Sequence, residues 1–326
     1  MSKNTDELFK NVIAHAKEYG FVFPSSEIYD GLSAVYDYGQ FGSELKNNIK
    51  TYWWKAMVQM HENIVGIDSA IFMHPKIWKA SGHVDGFSDP MIDNKDSNKR
   101  YRADQLIEDK IERYIKDGKT AKAEQLQADL DAALTAENLP RLREIIIEHE
   151  IACPVSGTRN WTEVRQFNLM FSTQMGAVAD DADTIYLRPE TAQGIFVNYL
   201  NVQKSGRMKI PFGIAQIGKA FRNEVIARQF IIRMREFEQM EMQFFVRPGT
   251  EMEWFKKWKE ARLQWHLALG TDEAKYRYHD HVKLAHYANA AVDIEYDFPF
   301  GFKEVEGIHS RTDFDLSQHQ KFSGKK

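Results

Sequence analysis

Charged side chains stand among apolar ones in residues 220–246, AFRNEVIARQFIIRMREFEQMEMQFFV. The segment holds four arginines and four glutamates beside phenylalanines and methionines. Arginine guanidinium groups at this density suit the recognition of a polyphosphate, because each can donate two parallel hydrogen bonds to phosphate oxygens. The residue types therefore predict a polar site that binds phosphate groups.

The pattern on both sides of the charged centre predicts two strands, residues 214–224 and 237–246, joined by a loop. Side chains of one parity share a face of each strand. The first strand would present Gln216, Gly218, Ala220, Arg222 and Glu224, and the second Phe237, Gln239, Glu241, Gln243 and Phe245. If the two faces coincide, they form the floor of a polar pocket.

The alternative is that these rows form the solvent face of an amphipathic hairpin. Gly218 and Ala220 count against it, because small residues weaken a strand and make more sense where a ligand approaches the backbone. The loop arginines Arg228, Arg233 and Arg235 also favour a phosphate site over plain surface.

The surrounding elements predict an α+β fold, in which helices gather around an antiparallel sheet and one helical arm extends from it. Apolar spacing predicts helices over residues 4–19, from about Ser43, and over about 250–269. Period-two alternation predicts consecutive antiparallel strands from 161 to 246 and further strands at 274–298. The helix positions predicted to be buried are Leu45, Ile49, Trp53, Met57, Trp254, Trp258 and Leu269.

The composition between Asp96 and Glu150 shifts to charged residues, alanine and glutamine with spaced leucines and isoleucines. This predicts a helical insertion, a hairpin in solvent, interrupted at Asp117-Gly118 and at Pro140. The predicted domains are residues 1–95, which carry a dimer region, residues 96–160, the insertion, and residues 161–326, the sheet with the candidate site.

Composition narrows the class of protein. A chain of 326 residues with a formal charge of −4 argues against a generally basic, nucleic-acid-coating surface. The single cysteine, Cys153, excludes an internal disulfide framework and suits a reducing compartment. The charged N-terminus does not resemble a signal peptide, and no apolar run is long enough to cross a bilayer. We therefore expect a cytoplasmic protein with no membrane partner.

Three weaker signals are not interpreted as sites. GKT at 118–120 lacks the earlier glycine of a phosphate-binding loop, since Arg113 stands there. Cys153 begins half of a zinc knuckle, but Ser156 occupies the second ligand position, so no structural zinc is expected. The histidines His279, His281 and His286 are interpreted as surface or packing residues.

Residues 221–224, FRNE, with the basic loop and REFEQMEMQFF at 235–245, resemble motif 2 of the class II aminoacyl-tRNA synthetases, in the version of the dimeric glycyl-tRNA synthetases. Other segments are similar to the same family in the same order, so that the resemblance covers nearly the whole chain. They include GFVFPSSEIYDGL, VYDYGQFGSELKNNI, SGHVDGFSDPMIDNK, KRYRAD, RQFNLMF, YLRPETAQGIFVNY and SRTDFDL.

The resemblance implies an enzyme that activates an amino acid with ATP and Mg²⁺ and then charges tRNA. It implies that Arg222 is catalytic, contacting the α-phosphate and the substrate carboxylate, that Phe237 stacks on adenine and that Glu224 reads the adenine edge. Arg228 is a weaker phosphate candidate, and Glu304 is a possible Mg²⁺ contact. The implied ATP-binding residues are Arg222, Asn223, Glu224, Ile232, Arg233, Met234, Arg235, Glu236, Phe237, Glu304 and Val305.

The resemblance further implies glycine as the amino acid, with Glu190 and Glu241 binding its ammonium group. The full set of implied glycine-binding residues is Arg102, Glu190, Phe237, Glu238, Gln239, Met240 and Glu241. The implied partners are glycine, ATP, tRNA(Gly) and a second copy of the chain. The dimer surface would lie around residues 36–57 and the strand that follows, with Phe72 and Trp78 as apolar contributors.

The chain ends before the segment that would carry motif 3 and before the expected anticodon-binding domain. We therefore expect an N-terminal fragment that is inactive alone. One alternative is a paralogue similar to class II synthetases that acts as a binding or regulatory module. Another is a class II synthetase for serine or histidine, which FEQME and RPETAQG make improbable.

Overall fold

The computed structural model describes residues 3–176, 183–225, 230–270, 272–281, 284–285 and 287–325. The chain forms two compact units. The first unit comprises Met1–Ser81, Phe171–Arg222 and Gln229–Lys326, and the second comprises Gly82–Met170 and Asn223–Arg228. Among the described residues, no helix has both the length and the apolar character needed to cross a membrane.

Helices and strands occur in both units, which agrees with the predicted α+β class. The helices are α1 (Lys3–Glu18), α2 (Gln40–Trp54), α3 (Pro75–Ala80), α4 (His83–Gly86), α5 (Ala103–Lys116), α6 (Thr120–Thr135), α7 (Leu139–Glu148), α8 (Ala192–Val197), α9 (Tyr199–Ser205), α10 (Glu251–Leu267) and α11 (Phe314–Ser323). The strands are β1 (Val22–Pro24), β2 (Tyr36–Tyr38), β3 (Ile64–Gly66), β4 (Ser88–Asn94), β5 (Lys99–Arg102), β6 (Arg165–Asn168), β7 (Ser172–Met175), β8 (Asp183–Tyr186), β9 (Phe212–Phe221), β10 (Glu236–Phe245), β11 (Tyr276–Asp280), β12 (Ala288–Phe298) and β13 (Gly301–Arg311).

Two three-stranded sheets organise the first unit. The long strands β9 and β10 pair antiparallel, from Phe221 opposite Glu236 to Phe212 opposite Phe245, and β3 joins β9 on its other side in parallel. In the second sheet β12 lies between β11 and β13, with antiparallel pairing throughout. The two-stranded pairs β1–β2 and β7–β8 complete the strands of this unit.

The predicted run of consecutive antiparallel strands between residues 161 and 246 is wrong in two respects. The helices α8 and α9 interrupt it, and β9 has a parallel neighbour in β3. Helices of six and seven residues span less than two turns, which is too short for a helical apolar period to stand out. The parallel pairing involves a strand far earlier in the chain, which local alternation cannot reveal.

One face of the β9–β10 sheet forms the main core of the first unit. Trp53, Met57, Ile64, Ala215 and Trp265 are buried together there, and Ile49, Trp258 and Met240 pack against them. This confirms the predicted core role of α2 and α10.

Two predicted core positions are wrong. Leu45 is 51% exposed and Leu269 is 42% exposed. In the first case only the C-terminal part of α2 and the turn after it belong to the core cluster. In the second, α10 ends at Leu267, so Leu269 lies outside the helix.

The second unit combines the sheet β5–β4–β6 with α5, α6 and α7. The predicted helical hairpin is therefore wrong, because a third helix follows. The Asn138 side chain caps α7 by accepting a hydrogen bond from the Arg141 amide, and Pro140 stands in its first turn. A proline there lacks only an amide hydrogen that the helix would not use, so Pro140 helps to start a helix instead of breaking one. The predicted domain boundaries at 95/96 and 160/161 stay a prediction.

The three helices enclose an apolar core of their own. Its fully buried side chains include Ile107, Leu126, Leu130, Leu142, Ile145 and Ile146. Leu126 → Ala should therefore lower the free energy of unfolding of this unit by about 2–5 kcal/mol, because it removes a buried isobutyl group and leaves a cavity. Urea unfolding followed by circular dichroism measures this change. The neighbouring exposed residue supplies the control, since Gln127 → Ala should change stability by less than about 0.5 kcal/mol. Equal effects of the two substitutions would contradict the assignment of this core.

Candidate active site

The register of β9 and β10 brings the two predicted polar rows onto one face of the sheet. Gln216 lies opposite Glu241, Gly218 opposite Gln239, and Ala220 opposite Phe237. Directly opposed residues of an antiparallel pair project on the same side. The candidate floor predicted from parity is therefore present, although β9 ends at Phe221 and does not reach Glu224.

Glu241 lies at the centre of a hydrogen-bonded group on this face. It accepts hydrogen bonds from the Thr191 hydroxyl and from Gln243 Nε2, the second at 2.7 Å. The Thr191 amide donates to Gln239 Oε1 at 3.1 Å, which ties the start of α8 to β10. The pKa of Glu241 is raised, mainly because protein encloses the carboxyl and secondly because Glu190 is negatively charged. The hydrogen bonds from Thr191 and Gln243 act in the opposite direction.

Glu190 is the second carboxylate of this group. Gln193 Nε2 donates to Glu190 Oε1 at 2.9 Å and also to Asp315 Oδ1 at 2.9 Å. Asp315 accepts from Arg311 Nη2 at 2.6 Å. The positive charge of Arg311 acts on both Glu190 and Glu241. Two carboxylates close enough to affect one another thus lie beside one fixed guanidinium.

Arg188 occupies the space above Gly218. It is only 2% exposed, and its Nε donates to the Lys219 carbonyl at 2.6 Å while its Nη1 donates to the Ser69 carbonyl at 2.7 Å. A Cβ on Gly218 would lie 2.2 Å from Arg188 Nη2. The small residue at 218 therefore makes room for a buried arginine. This corrects the expectation that Gly218 lets a ligand approach the backbone.

Arg222 follows β9 and is held at both its backbone and its side chain. Its amide donates to the Arg235 carbonyl at 2.9 Å, and its Nε donates to the Pro189 carbonyl at 3.1 Å. Its guanidinium carbon lies 5.3 Å from the centroid of the Phe237 ring, within range of a cation–π contact. One face of Phe237 thus meets a guanidinium, and only the other could stack on a base.

The other predicted ATP-binding residues of β10 and the segment before it lie in varied surroundings. Arg235 Nη1 donates to the Ser33 carbonyl at 3.0 Å, and the Arg235 amide donates to Ala34. Ile232 and Arg233 are exposed, whereas Met234 is partly buried. Glu236 forms an ion pair with Lys219. Arg228 lies outside the described residues.

Glu304 lies on β13, and the charges of Arg222 and Arg233 reach it. The pKa of Glu304 is raised, mainly by loss of surrounding water and secondly by the negative charge of Asp293. The two arginines oppose this shift. Val305 is exposed beside it. The structure therefore brings Glu304 within electrostatic range of two of the arginines predicted to bind phosphate.

Two predicted glycine-binding residues of β10 face away from this group. Glu238 lies opposite Lys219 on the other side of the strand and binds Lys46 Nζ at 2.6 Å and Lys50 Nζ at 3.3 Å. Met240 packs into the apolar core. The alternation of a strand forbids these side chains from joining Glu241, so any contact with the ligand would come from their backbone.

Three further predicted site residues belong to the second unit. Arg102 forms ion pairs with Asp104 at 2.5 Å and Asp89 at 3.3 Å. The Asn223 amide donates to the Leu169 carbonyl at 2.8 Å, and Glu224 is buried. The predicted contacts of Arg102, Asn223 and Glu224 with substrates stay predictions.

Reasoning from sequence missed several residues that build the site. Arg188, Thr191, Gln193, Arg311, Asp315 and His319 hold the carboxylates and the strand edge, with His319 Nε2 2.8 Å from Gln193 Oε1. For all of them except His319, the available signal was a position inside YLRPETAQG or SRTDFDL, two segments that carry the resemblance. The bonds from Arg188 to Ser69 and from Gln193 to Asp315 and His319 join residues more than 100 positions apart, which no local pattern encodes.

Comparison with known proteins gives a family match for each of two parts of the chain. Residues 89–125 and 117–169 match the family "Glycyl-tRNA synthetase insertion domain 1", and residues 171–321 match "tRNA synthetase class II core domain (G, H, P, S and T)". The first family falls within the helical unit, and the second covers β9, β10 and the carboxylate pair.

Individual relatives are similar to nearly the whole of this chain. The chain is 60% identical over 316 residues to the glycine–tRNA ligase of Chlorobaculum tepidum, covering 96% of this chain and 67% of that protein. It is 52% identical to the glycine–tRNA ligase of Geobacillus thermodenitrificans, covering 97% of this chain and 65% of the relative. It is 53% identical to that of Macrococcus caseolyticus, covering 97% and 66%. The chain thus spans about two thirds of the length of these relatives, and it belongs to the glycine–tRNA ligase family of class II aminoacyl-tRNA synthetases.

Proposed function

We propose that the complete protein activates glycine with ATP and transfers it to tRNA(Gly). In the first step a carboxylate oxygen of glycine attacks the α-phosphorus of ATP, the bond to the bridging oxygen breaks, and pyrophosphate leaves. In the second step a ribose hydroxyl of the tRNA terminal adenosine attacks the glycyl carbonyl and releases AMP. The observation that carries the proposal is the pair of carboxylates, Glu190 and Glu241, held together on the polar face of the sheet.

Two neighbouring carboxylates on one face suit a cationic ligand. Burial, and after it the negative charge of Glu190, raises the pKa of Glu241, and a bound ammonium group would relieve the repulsion between the two carboxylates. Thr191, Gln193 and Gln243 hold the two carboxylates in place, so little reorganisation is needed when the ligand binds. Glycine offers only an ammonium and a carboxylate to recognise, so Glu190 and Glu241 would supply the first contact.

Exclusion of larger amino acids would depend on volume. Gln239 is fixed by the Thr191 amide, and the buried Arg188 fills the space above Gly218, so this part of the floor has little freedom to yield. A methyl group forced into such packing costs about 1–3 kcal/mol. We therefore propose that alanine is rejected by the shape of the pocket.

The second half of the site suits the phosphates of ATP. Arg222 is held by Pro189 and Arg235 and would contact the α-phosphate and the glycine carboxylate, offsetting the repulsion between the two anions. Adenine would stack on the face of the Phe237 ring that Arg222 does not cover, and Arg233 and Arg235 would contact the outer phosphates.

A divalent cation fits the same region. Glu304 offers an oxygen donor. Loss of surrounding water, and after it the charge of Asp293, raises the pKa of this carboxyl, and a bound cation would offset the repulsion between the two carboxylates. Hard cations such as Mg²⁺ take carboxylate and phosphate oxygens as ligands. Glu304 would hold Mg²⁺ there, and the ion would neutralise charge on the phosphates.

We also propose that the protein works as a homodimer in the cytoplasm, where ATP and tRNA are available. Phe41, Leu45 and Tyr52 on α2 and Phe72 after it are large apolar side chains that remain exposed in the single chain. Trp78, predicted as a further contributor, is fully buried in the chain and has no exposed surface to offer a partner. Sedimentation velocity at several concentrations tests this assembly, and a strictly monomeric protein would exclude it.

The specificity for glycine gives the experiment that tests the function. ATP–pyrophosphate exchange with the complete protein should give a kcat/KM for glycine that exceeds that for alanine by roughly 5- to 150-fold, the factor that corresponds to about 1–3 kcal/mol. Comparable values for the two amino acids would exclude the proposed pocket. Exchange with neither amino acid would favour a binding or regulatory module.

A further inference from the structure

A group of metal-binding side chains comes together on the sheet β11–β12–β13. His281 follows β11 directly, Asp293 lies on β12, and His309 lies on β13. One nitrogen or oxygen from each residue lies within 4.8 Å of the others. His281 Nε2 is 2.8 Å from Asp293 Oδ2, and the two imidazole rings are 5.8 Å apart.

The second oxygen of Asp293 lacks the partner that a buried carboxylate normally has. Asp293 is only 9% exposed, and its Oδ1 is buried with no hydrogen-bond partner among the described residues. Leaving a buried polar atom unsatisfied costs about 1–3 kcal/mol, and more when it carries charge. The ion pair with His281 involves only Oδ2, so it does not compensate the buried Oδ1.

The missing side chain of Gly307 leaves space next to this oxygen. Gly307 lies directly opposite Asp293 in the β12–β13 pair. A Cβ on Gly307 would be 3.2 Å from His309 Nε2, 3.3 Å from Glu304 Oε1 and 3.5 Å from Asp293 Oδ1. Three donor atoms from different residues therefore border one small volume that the backbone keeps open.

We propose that His281, Asp293 and His309 bind a divalent transition-metal ion of the zinc class, at a site that adjoins Glu304. Two imidazoles and one carboxylate favour zinc or its neighbours in the first row over Mg²⁺, which prefers oxygen ligands throughout. Three protein ligands leave a fourth position, which Glu304 or a water molecule would occupy.

The geometry requires only a modest closure of the group. Bonds of about 2.0–2.1 Å in a tetrahedral site place ligand atoms roughly 3.4 Å apart. The present spacing has an upper limit of 4.8 Å, and His309 is exposed and His281 only partly buried, so their rings have room to turn inward. The binding of the metal does not depend on amino-acid activation.

The sequence interpreted the nearby histidines as surface or packing residues, and the proposed site gives one of them a further role. His279 Nδ1 lies 3.0 Å from Glu295 Oε1 and takes no part in the group, which agrees with a surface role. His281 instead faces Asp293 and His309, which stand on other strands and cannot be connected to it by local spacing. His286 lies outside the described residues.

Titration of the chelator-treated chain with Co²⁺, followed by its visible d–d absorbance, tests the proposal. We expect saturable binding of one equivalent, and calorimetry with Zn²⁺ should give the same stoichiometry. His309 → Ala and the nearly isosteric Asp293 → Asn should each weaken binding at least about tenfold, since each removes a ligand. Gly307 → Ala should also weaken it by filling the space between the donors.

His279 → Ala is the matched control and should change the dissociation constant for Co²⁺ by less than about twofold. Thermal melting followed by circular dichroism identifies any variant that has lost its fold. If one of the two ligand variants is unfolded, the Co²⁺ affinity of the other tests the proposal. No saturable Co²⁺ binding up to 1 mM, unchanged binding in folded His309 → Ala and Asp293 → Asn, or loss of binding in His279 → Ala would each overturn the proposal. Displacement of Co²⁺ by millimolar Mg²⁺ would identify an oxygen-type site and exclude the zinc class.

Discussion

Replacement of Arg222 by alanine is expected to reduce glycine-dependent ATP–pyrophosphate exchange by about 100- to 1,000-fold in the complete protein. The predicted role of Arg222 is to stabilise negative charge that develops as the glycine carboxylate attacks the α-phosphorus. Removing one preorganised donor at such a centre costs about 2.7–4 kcal/mol of barrier. The guanidinium is already held by the Pro189 carbonyl and lies over the Phe237 ring, so it needs no reorganisation during the reaction.

Arg222 → Lys should recover only a small part of this activity. A lysine ammonium is a point charge without the planar fork, so it cannot keep the contact with Pro189 and bridge two anions together. Arg247 → Ala is the control, because Arg247 is an exposed arginine just after β10. Near-normal exchange in Arg222 → Ala, or an equal loss in Arg247 → Ala, would show that Arg222 does not act at the phosphate.

Glu241 → Gln is expected to raise the KM for glycine roughly 10- to 150-fold while leaving the KM for ATP nearly unchanged. The substitution keeps the size of the side chain and its contact with Thr191, but it removes the charge that would hold the ammonium group. Charge-assisted hydrogen bonds are worth about 1.5–3 kcal/mol, which corresponds to this factor. Steady-state exchange with each substrate varied in turn separates the two KM values.

Glu238 → Gln is the matched control for this experiment. Glu238 lies three residues away on the same strand, but its side chain faces Lys46 and Lys50 on the opposite side of the sheet. Glu238 → Gln should therefore change the KM for glycine by less than about twofold. A larger effect from Glu238 → Gln than from Glu241 → Gln would refute the assignment of the ligand to the face with Gln239 and Phe237.

The raised pKa of Glu241 also predicts the direction of a pH effect. A bound ammonium favours the ionised carboxylate, so glycine should bind more tightly as pH rises through the pKa of this group, and Glu241 → Gln should abolish that part of the dependence. Without ligand, the folded protein binds this proton more tightly than the unfolded chain does. The contribution of Glu241 to stability is therefore present at low pH and falls as pH rises from its unfolded pKa to its folded one.

The amino-acid sequence determined the elements with long, regular patterns. Alternation over ten residues identified β9 and β10 and sorted their side chains into two rows, and the observed register puts those rows on one face. Apolar spacing similarly identified α1, α2 and α10. These features are readable because parity and the helical period depend only on neighbouring residues. Motif order identified the family by the same local means.

The surroundings of those rows depend on the tertiary structure. It placed Arg188 above Gly218, joined Glu190 to Asp315 through Gln193, and paired Glu238 with Lys46 and Lys50 of α2. It likewise assembled His281, Asp293 and His309 from three strands. A periodic pattern specifies which way a side chain points from its own strand, but not which distant residue meets it. That choice depends on strand pairing and core packing, whose contacts join positions far apart in the chain.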